Sequence, residues 1–211
     1  MKRKAALIIL VLSLSLSSCV YSLFPLYSEE TVVFKEELLG KWAVDDDGSY
    51  LLFQRPDDIE KTKSGIGLLM HPHGSSSSID REKLYFLDIY DQSVSSQVQR
   101  YEAHMVQLGD DYFLDIFPTS EFGNETMSDN FMGMHSFFKL EASKNELKIT
   151  RFDLQKLSEL FNSNLIRLRH EAVDGTILIT AQTEELQQFI ERYAKDERVF
   201  EDTEIYQRVE S

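Results

Sequence analysis

The chain is 211 residues long, with 36 acidic residues against 22 basic ones and a formal net charge of −14 at pH 7. That length suits one domain of ordinary size, and so negative a surface repels nucleic-acid phosphates, which argues against nucleic acid as a partner. Cys19 is the single cysteine, so no internal disulfide is possible.

Lys2, Arg3 and Lys4 open the chain, and Ala5 to Leu16 form an unbroken run of apolar residues and serines. The run is shorter than the ~20 residues a bilayer span needs and fits the apolar region of an export signal. It closes in Leu16-Ser17-Ser18-Cys19. Small residues just before a cysteine resemble the lipobox of bacterial lipoproteins. The resemblance implies cleavage before Cys19, a diacylglyceryl thioether on its sulfur and an acylated amino terminus. The alternative is an ordinary signal cut at another small residue. A lone free thiol is out of place in an exported protein, and stable membrane attachment takes more than one acyl chain. Val20, not Asp, follows Cys19. In Gram-negative lipoproteins that points to the outer membrane, here on its periplasmic face; in a Gram-positive cell the anchor would sit in the outer leaflet of the cell membrane. Residues 1–18 hold three of the basic residues and none of the acidic ones, so the remainder carries a formal charge of −17.

Val20 to Tyr27 is apolar and aromatic, unlike a flexible Gly/Ser tether, and is expected to pack on the domain because Thr31 to Phe34 continues the hydrophobicity. Glu36 to Leu39 reads as a short helical turn stopped by Gly40. From Gly40-Lys41-Trp42 onwards the pattern is β-like. Candidate strands are Tyr50 to Phe53, Gly65 to Met70, Leu84 to Tyr90, Gln97 to Leu108, Tyr112 to Phe117, Phe131 to Leu140, Leu147 to Phe152, Leu165 to Val173, Thr176 to Ala181 and Thr203 to Val209. Turn signals lie at Asp45 to Gly48, Gly109-Asp110-Asp111, Ser143-Lys144-Asn145 and Asp174-Gly175. Two helices interrupt the strands. One is capped by Asp153 and carries Leu154, Leu157 and Phe161 on one face; the other is capped by Thr183 and carries Leu186, Phe189, Ile190 and Tyr193 as one apolar stripe. Residues 1–18 are thus an export signal, 19–34 a lipidated tether and 35–211 a single β-rich domain.

Gly-x-Ser-x-Gly, phosphate-binding glycine loops, His-Glu-x-x-His and paired cysteines are missing from the sequence, so no cofactor is expected. His71 and His73, with Asp80 or Glu82 nearby, are a weak metal candidate in what otherwise reads as an exposed serine-rich loop. His104 and His135 lie within β-like runs, where a hydrogen-bonded structural role competes with a catalytic or ligand-binding one. Arg167 and Arg169 alternate on one face, either towards an anionic ligand inside a barrel or paired with surface carboxylates. Trp42 reads as a large core residue near the first strand and is a further ligand-binding candidate.

Phe34 to Trp42, Phe-Lys-Glu-Glu-Leu-Leu-Gly-Lys-Trp, resembles the start of lipocalin and other calycin barrels, where a short helical turn leads into Gly-x-Trp on the first strand. Pro25 to Glu29, Gly40-Lys41-Trp42, Glu102 to Gly109, Phe113 to Pro118 and Thr180 to Leu186 together resemble a family of uncharacterised bacterial lipoproteins, which implies no particular activity. The fold expected is mainly β, a single antiparallel β-barrel or strongly curved sheet of calycin-like type with two short packed helices. The expected function is a non-enzymatic, lipid-anchored envelope lipoprotein that binds a small apolar or amphipathic ligand, or a partner protein. The alternatives are an interaction subunit of an envelope assembly docking through Val20 to Tyr27, and an enzyme using His104 or His135 with nearby carboxylates. Replacing Cys19 with Ser is expected to abolish incorporation of radiolabelled palmitate and leave the uncleaved precursor. A Cys19→Ser protein that still matures to the shorter form would mean an ordinary signal.

Overall fold

In a computed structural model of the chain, the described residues are 20–44, 48–58, 81–92, 98–119, 133–163, 167–173 and 176–210. Cys19, the export signal, the Asp45 to Asp47 turn, the Gly65 to Met70 strand, His71, His73, Asp80 and the Asp174-Gly175 turn lie outside them. The strands are β1 (Val20–Ser22), β2 (Val32–Val33), β3 (Gly40–Ala43), β4 (Tyr50–Gln54), β5 (Leu84–Tyr90), β6 (Gln99–Leu108), β7 (Asp111–Pro118), β8 (Ser136–Ala142), β9 (Glu146–Phe152), β10 (His170–Val173), β11 (Thr176–Ile179) and β12 (Phe200–Arg208). Among the described residues the longer helices are α1 (Leu154–Asn162) and α2 (Thr183–Tyr193), beside short helical turns such as Glu197–Val199.

Strands β3 to β9 form a meander in which each pairs antiparallel with the next, and β12 then lies between β9 and β3. The ring of eight strands is a closed antiparallel barrel. The calycin-like expectation holds. Alternation along the strands puts one set of side chains into the lumen. Trp42, Leu51, Phe53, Tyr85, Leu87, Ala103, Met105, Leu114, Ile116, Leu140, Leu147, Ile149 and Tyr206 form that inner core. Leu108 and Asp111 face each other across the β6–β7 turn, and Gly109 supplies its left-handed residue at φ +59°.

One end of the lumen is plugged by the chain that leads into β3. A 3-10 turn at Glu36–Leu38 drops Leu38 into the core, and Trp42 Nε1 donates to the Leu38 carbonyl at 2.9 Å. Phe34 stacks on Tyr85 with centroids 4.5 Å apart. The Tyr85 hydroxyl accepts from the Lys35 N–H at 2.6 Å and donates to the Lys35 carbonyl at 3.0 Å. Burial pushes the Tyr85 hydroxyl up to about 12, against the Lys35 hydrogen bond that lowers it. At the end of β12, Arg208 lies over the Trp42 ring, 4.1 Å from its centroid. Its guanidinium donates to the carbonyls of Leu39 (2.9 Å), Lys144 (2.6 Å) and Glu37. Gly40, at φ +111°, makes room for it, since a Cβ there would stand 3.2 Å from Arg208 Nη1.

A second core lies outside the barrel wall. Between β9 and β12 the chain leaves the meander to build α1, the β10–β11 hairpin and α2. Leu157, Phe161, Ile177, Ile179, Leu186, Phe189 and Ile190 pack these elements against outward residues of the wall, among them Val106, Phe113, Phe137 and Phe152. The segment read as a tether is part of this layer. β1 adds in parallel to β11, β2 pairs with β6, and Leu26 and Val32 are buried. Asp153 caps α1 as expected, accepting from the Lys156 N–H at 2.9 Å. Thr183 does not cap α2: the N-cap is Gln182, and the Thr183 hydroxyl instead donates to the Pro25 carbonyl at 2.8 Å. The strand read over Leu165 to Val173 is shorter, beginning at His170. All these elements lie after residue 19, and both cores are built from side chains of the described residues between 20 and 210.

Replacing Arg208 with Met removes one cation–π contact and leaves three carbonyls without their donor. The expected cost is about 2 kcal/mol of stability, read from urea unfolding by the fluorescence of Trp42. Arg208→Lys should recover part of it, because an ammonium reaches fewer of the carbonyls.

Candidate functional site

Among the described residues, two regions gather side chains capable of binding or chemistry. The first is the barrel end opposite the Trp42 plug, where β3, β5, β7 and β9 finish. The lower half of the lumen there gives way to a cavity of about 410 Å³, within the usual range for small-molecule sites. Its floor and far wall are apolar: Leu51, Leu87, Ile89, Leu114, Ile116 and Phe138. The wall made by β9 and β12 is polar. Alternation brings Arg151 onto the face of Leu147 and Ile149, and Glu204 onto the face of Tyr206. Arg151 Nη2 and Glu204 Oε1 form an ion pair at 3.0 Å, and the Tyr206 hydroxyl donates to Glu204 Oε2 at 2.6 Å. The seam beside this wall is short. β3 has four residues against nine in β12, and only Ala43 and Trp42 find register partners on it among the described residues. Val44, Ser49 and Ile205 line the cavity there, and Ile205 is 45% exposed despite being apolar.

The second region is a polar cluster on the outer face of the barrel. Asp115 on β7 points away from the lumen and is fully buried beneath the segment that follows β1. The Leu26 N–H donates to Asp115 Oδ2 at 2.6 Å, and His135 Nδ1 lies 2.7 Å from Asp115 Oδ1. His135 is also fastened through its backbone, exchanging two hydrogen bonds with Ser22. His104, opposite Asp115 on β6, packs against Tyr27 with centroids 4.0 Å apart and the rings tilted by 32°. Burial raises the Tyr27 hydroxyl above its ordinary range, helped by the charges of Asp115 and Glu102. Burial likewise pushes His104 down to about 4, with His135 adding to the effect and Asp115 opposing it. A buried carboxylate is costly unless paired and hydrogen-bonded. Here each oxygen has a hydrogen-bonding partner, the Leu26 N–H and His135 Nδ1, and what it holds is the N-terminal segment.

The residues singled out from sequence therefore separate. His104 and His135 come together, with Asp115 between them, but on the outer wall and buried under residues 22–27 rather than in the lumen. Trp42 is in the lumen at its plugged end, fully buried and away from the cavity. Arg167 and Arg169 are outside the barrel, in the layer between β9 and β12; Arg167 is exposed, and Arg169 makes a two-point contact with Glu185 at 3.2 Å. Arg151, Glu204 and Tyr206 were missed. They look like ordinary members of β-like runs, and only closure of the barrel puts them on one wall. Asp115 had a signal, being the one charge within Tyr112 to Phe117. Among the described residues no group of three or more His, Cys, Asp or Glu side chains is placed to hold a metal ion. No helix among the described residues is long and apolar enough to cross a membrane. Comparison with known protein families, curated proteins and solved structures finds no match to this chain.

His104 makes stability depend on pH. The unfolded chain takes up a proton near 6.5 that the folded protein refuses until about 4. Stability is therefore expected to fall as the pH drops through that window, by on the order of 3 kcal/mol in total. Urea unfolding at pH 7, 5.5 and 4.5 measures the slope, and His104→Phe, which keeps a ring against Tyr27, should flatten it. An unchanged slope in that variant would assign the dependence elsewhere.

Proposed function

We propose that this protein is a lipid-anchored lipoprotein of the bacterial envelope that holds a small amphipathic molecule in the mouth of its barrel and catalyses no reaction on it. The observation that carries the proposal is the cavity of about 410 Å³ with an apolar floor and polar groups at its mouth, Arg151, Glu204 and Tyr206 on one side and Tyr90 and Asp91 on the other. A lumen filled from end to end would have left no such space, and here the filling stops at the level of Leu51, Leu114 and Ile149. The lipobox-like Leu16 to Cys19 supports the anchor. If Cys19 carries acyl chains, the anchor is joined to Val20, already a strand residue paired with Ile177. The domain then rests against the membrane without a spacer, on the periplasmic face of an outer membrane in a Gram-negative cell.

The polar cluster fits a structural role better than a histidine/carboxylate enzyme. Asp115 is fully buried and already bound by Leu26 and His135, and neither histidine lines the cavity. The docking of an envelope partner through Val20 to Tyr27 loses its motive, because that stretch supplies β1 and a buried Leu26 to the fold.

Native mass spectrometry of residues 20–211, purified from the periplasm of the source cell, should show a mass excess that disappears on denaturation. Ile116→Trp, which pushes an indole into the cavity, should abolish the excess while the protein stays folded. An excess that survives Ile116→Trp would place the bound molecule elsewhere.

A further inference from the structure

We infer that the cavity selects single-chain amphiphiles with an anionic head group, and that Arg151 is the residue that binds the head. The inference rests on the cavity reading above and assigns its chemistry. The apolar floor and far wall can take a hydrocarbon chain but no charge. The β9–β12 wall carries one cation and one anion, and Asp91, at the end of β5, is a second anion in the lining, leaving Arg151 as its one cation among the described residues. The two charges of the β9–β12 wall are not equally engaged. Glu204 has both oxygens occupied, Oε1 by Arg151 and Oε2 by the Tyr206 hydroxyl. A guanidinium presents five N–H donors in a planar fork, and the ion pair with Glu204 is the one contact found for Arg151 among the described residues. The Arg151 side chain remains 53% exposed at the cavity edge. The unspent hydrogen-bonding capacity of the wall is therefore donor capacity, in the geometry that matches a carboxylate or a phosphate.

The charge of the whole molecule sharpens this selection. A surface at −17 repels anions in general, but at physiological ionic strength that repulsion is screened over ~8 Å. An anionic amphiphile is held only where its chain finds the apolar floor and its head finds a guanidinium at once. Glu204 keeps Arg151 turned to the β12 wall and competes with the ligand for it. The two residues thus make opposite predictions: losing Arg151 removes the head-group contact, whereas neutralising Glu204 frees Arg151 for it.

The test is isothermal titration calorimetry of residues 20–211 with dodecanoate, dodecyl phosphate and dodecyltrimethylammonium, each kept below its micelle-forming concentration. The wild-type protein should bind at least one of the two anions at least tenfold more tightly than the cation, and the preferred anion tells a carboxylate head from a phosphate one. Arg151→Gln should weaken the preferred anion by about tenfold or more, the loss expected for hydrogen bonds to a charged group, and Glu204→Gln should tighten it. Equal affinity for the anions and the cation, or an Arg151→Gln protein that binds the anion unchanged, would overturn the assignment. If Ile116→Trp abolishes that unchanged binding, the cavity reading survives and only the head-group assignment falls. If no probe binds the wild-type protein, both fall.

Discussion

A meander of strands has two free edges until its last strand reaches its first. In this protein that closure passes through a narrow seam, Gln207 against Ala43 and Arg208 against Trp42. Two register pairs are little for a barrel wall, and the seam is reinforced by side chains. Arg208 covers the Trp42 ring and gathers three carbonyls from the plug and from the β8–β9 turn, so strands at the two ends of the chain share one contact. Gly40 is required beside it, for its positive φ and for the space. The plug, the seam and the floor of the lumen are one construction, and the open mouth is what remains when that end is sealed.

The outer layer solves a different problem. A barrel wall whose outward side chains include Val106, Phe113, Phe137 and Phe152 would expose a large apolar surface, and such surfaces are covered in stable proteins. The stretch between β9 and β12, together with β1 and the residues after it, provides the cover. Asp115 fixes the N-terminal part of that cover in one register through a single N–H and a histidine. At the open end of the lumen, Arg151, Glu204 and Tyr206 face the apolar side chains of Leu87, Ile89, Leu114 and Ile116, with Ser49, Tyr50, Tyr90 and Asp91 also in the lining.

Several features were legible from residues alone because they depend on neighbours in the chain. β5 matches the apolar run Leu84 to Tyr90, and the β6–β7 hairpin turns at Gly109-Asp110 as its residues demand. α1 starts at its Asp153 cap, and the stripe of α2 is buried as its spacing requires. Thr183 shows the limit: an N-terminal threonine has the signature of a cap, but the nearby Pro25 carbonyl offered its hydroxyl a better partner. The run from Val20 to Phe34 was read as packing on the domain, yet nothing local announced that it would supply strands to two separate sheets.

What the sequence by itself determined is therefore the β-rich class, the turns at Gly109 and Ser143, both helices and the short helical turn leading into Gly-x-Trp. Those follow from periodicity, backbone preference and short motifs, each confined to a few consecutive residues. The tertiary structure alone decided that the strands close into a ring of eight, that Arg208 would meet Trp42 across 166 positions of chain, and that the two histidines face outwards. It alone brought Arg151, Glu204 and Tyr206 onto one wall. Inward and outward faces of a strand are equivalent until the curvature of the whole sheet assigns them, and that curvature is a property of all the strands together.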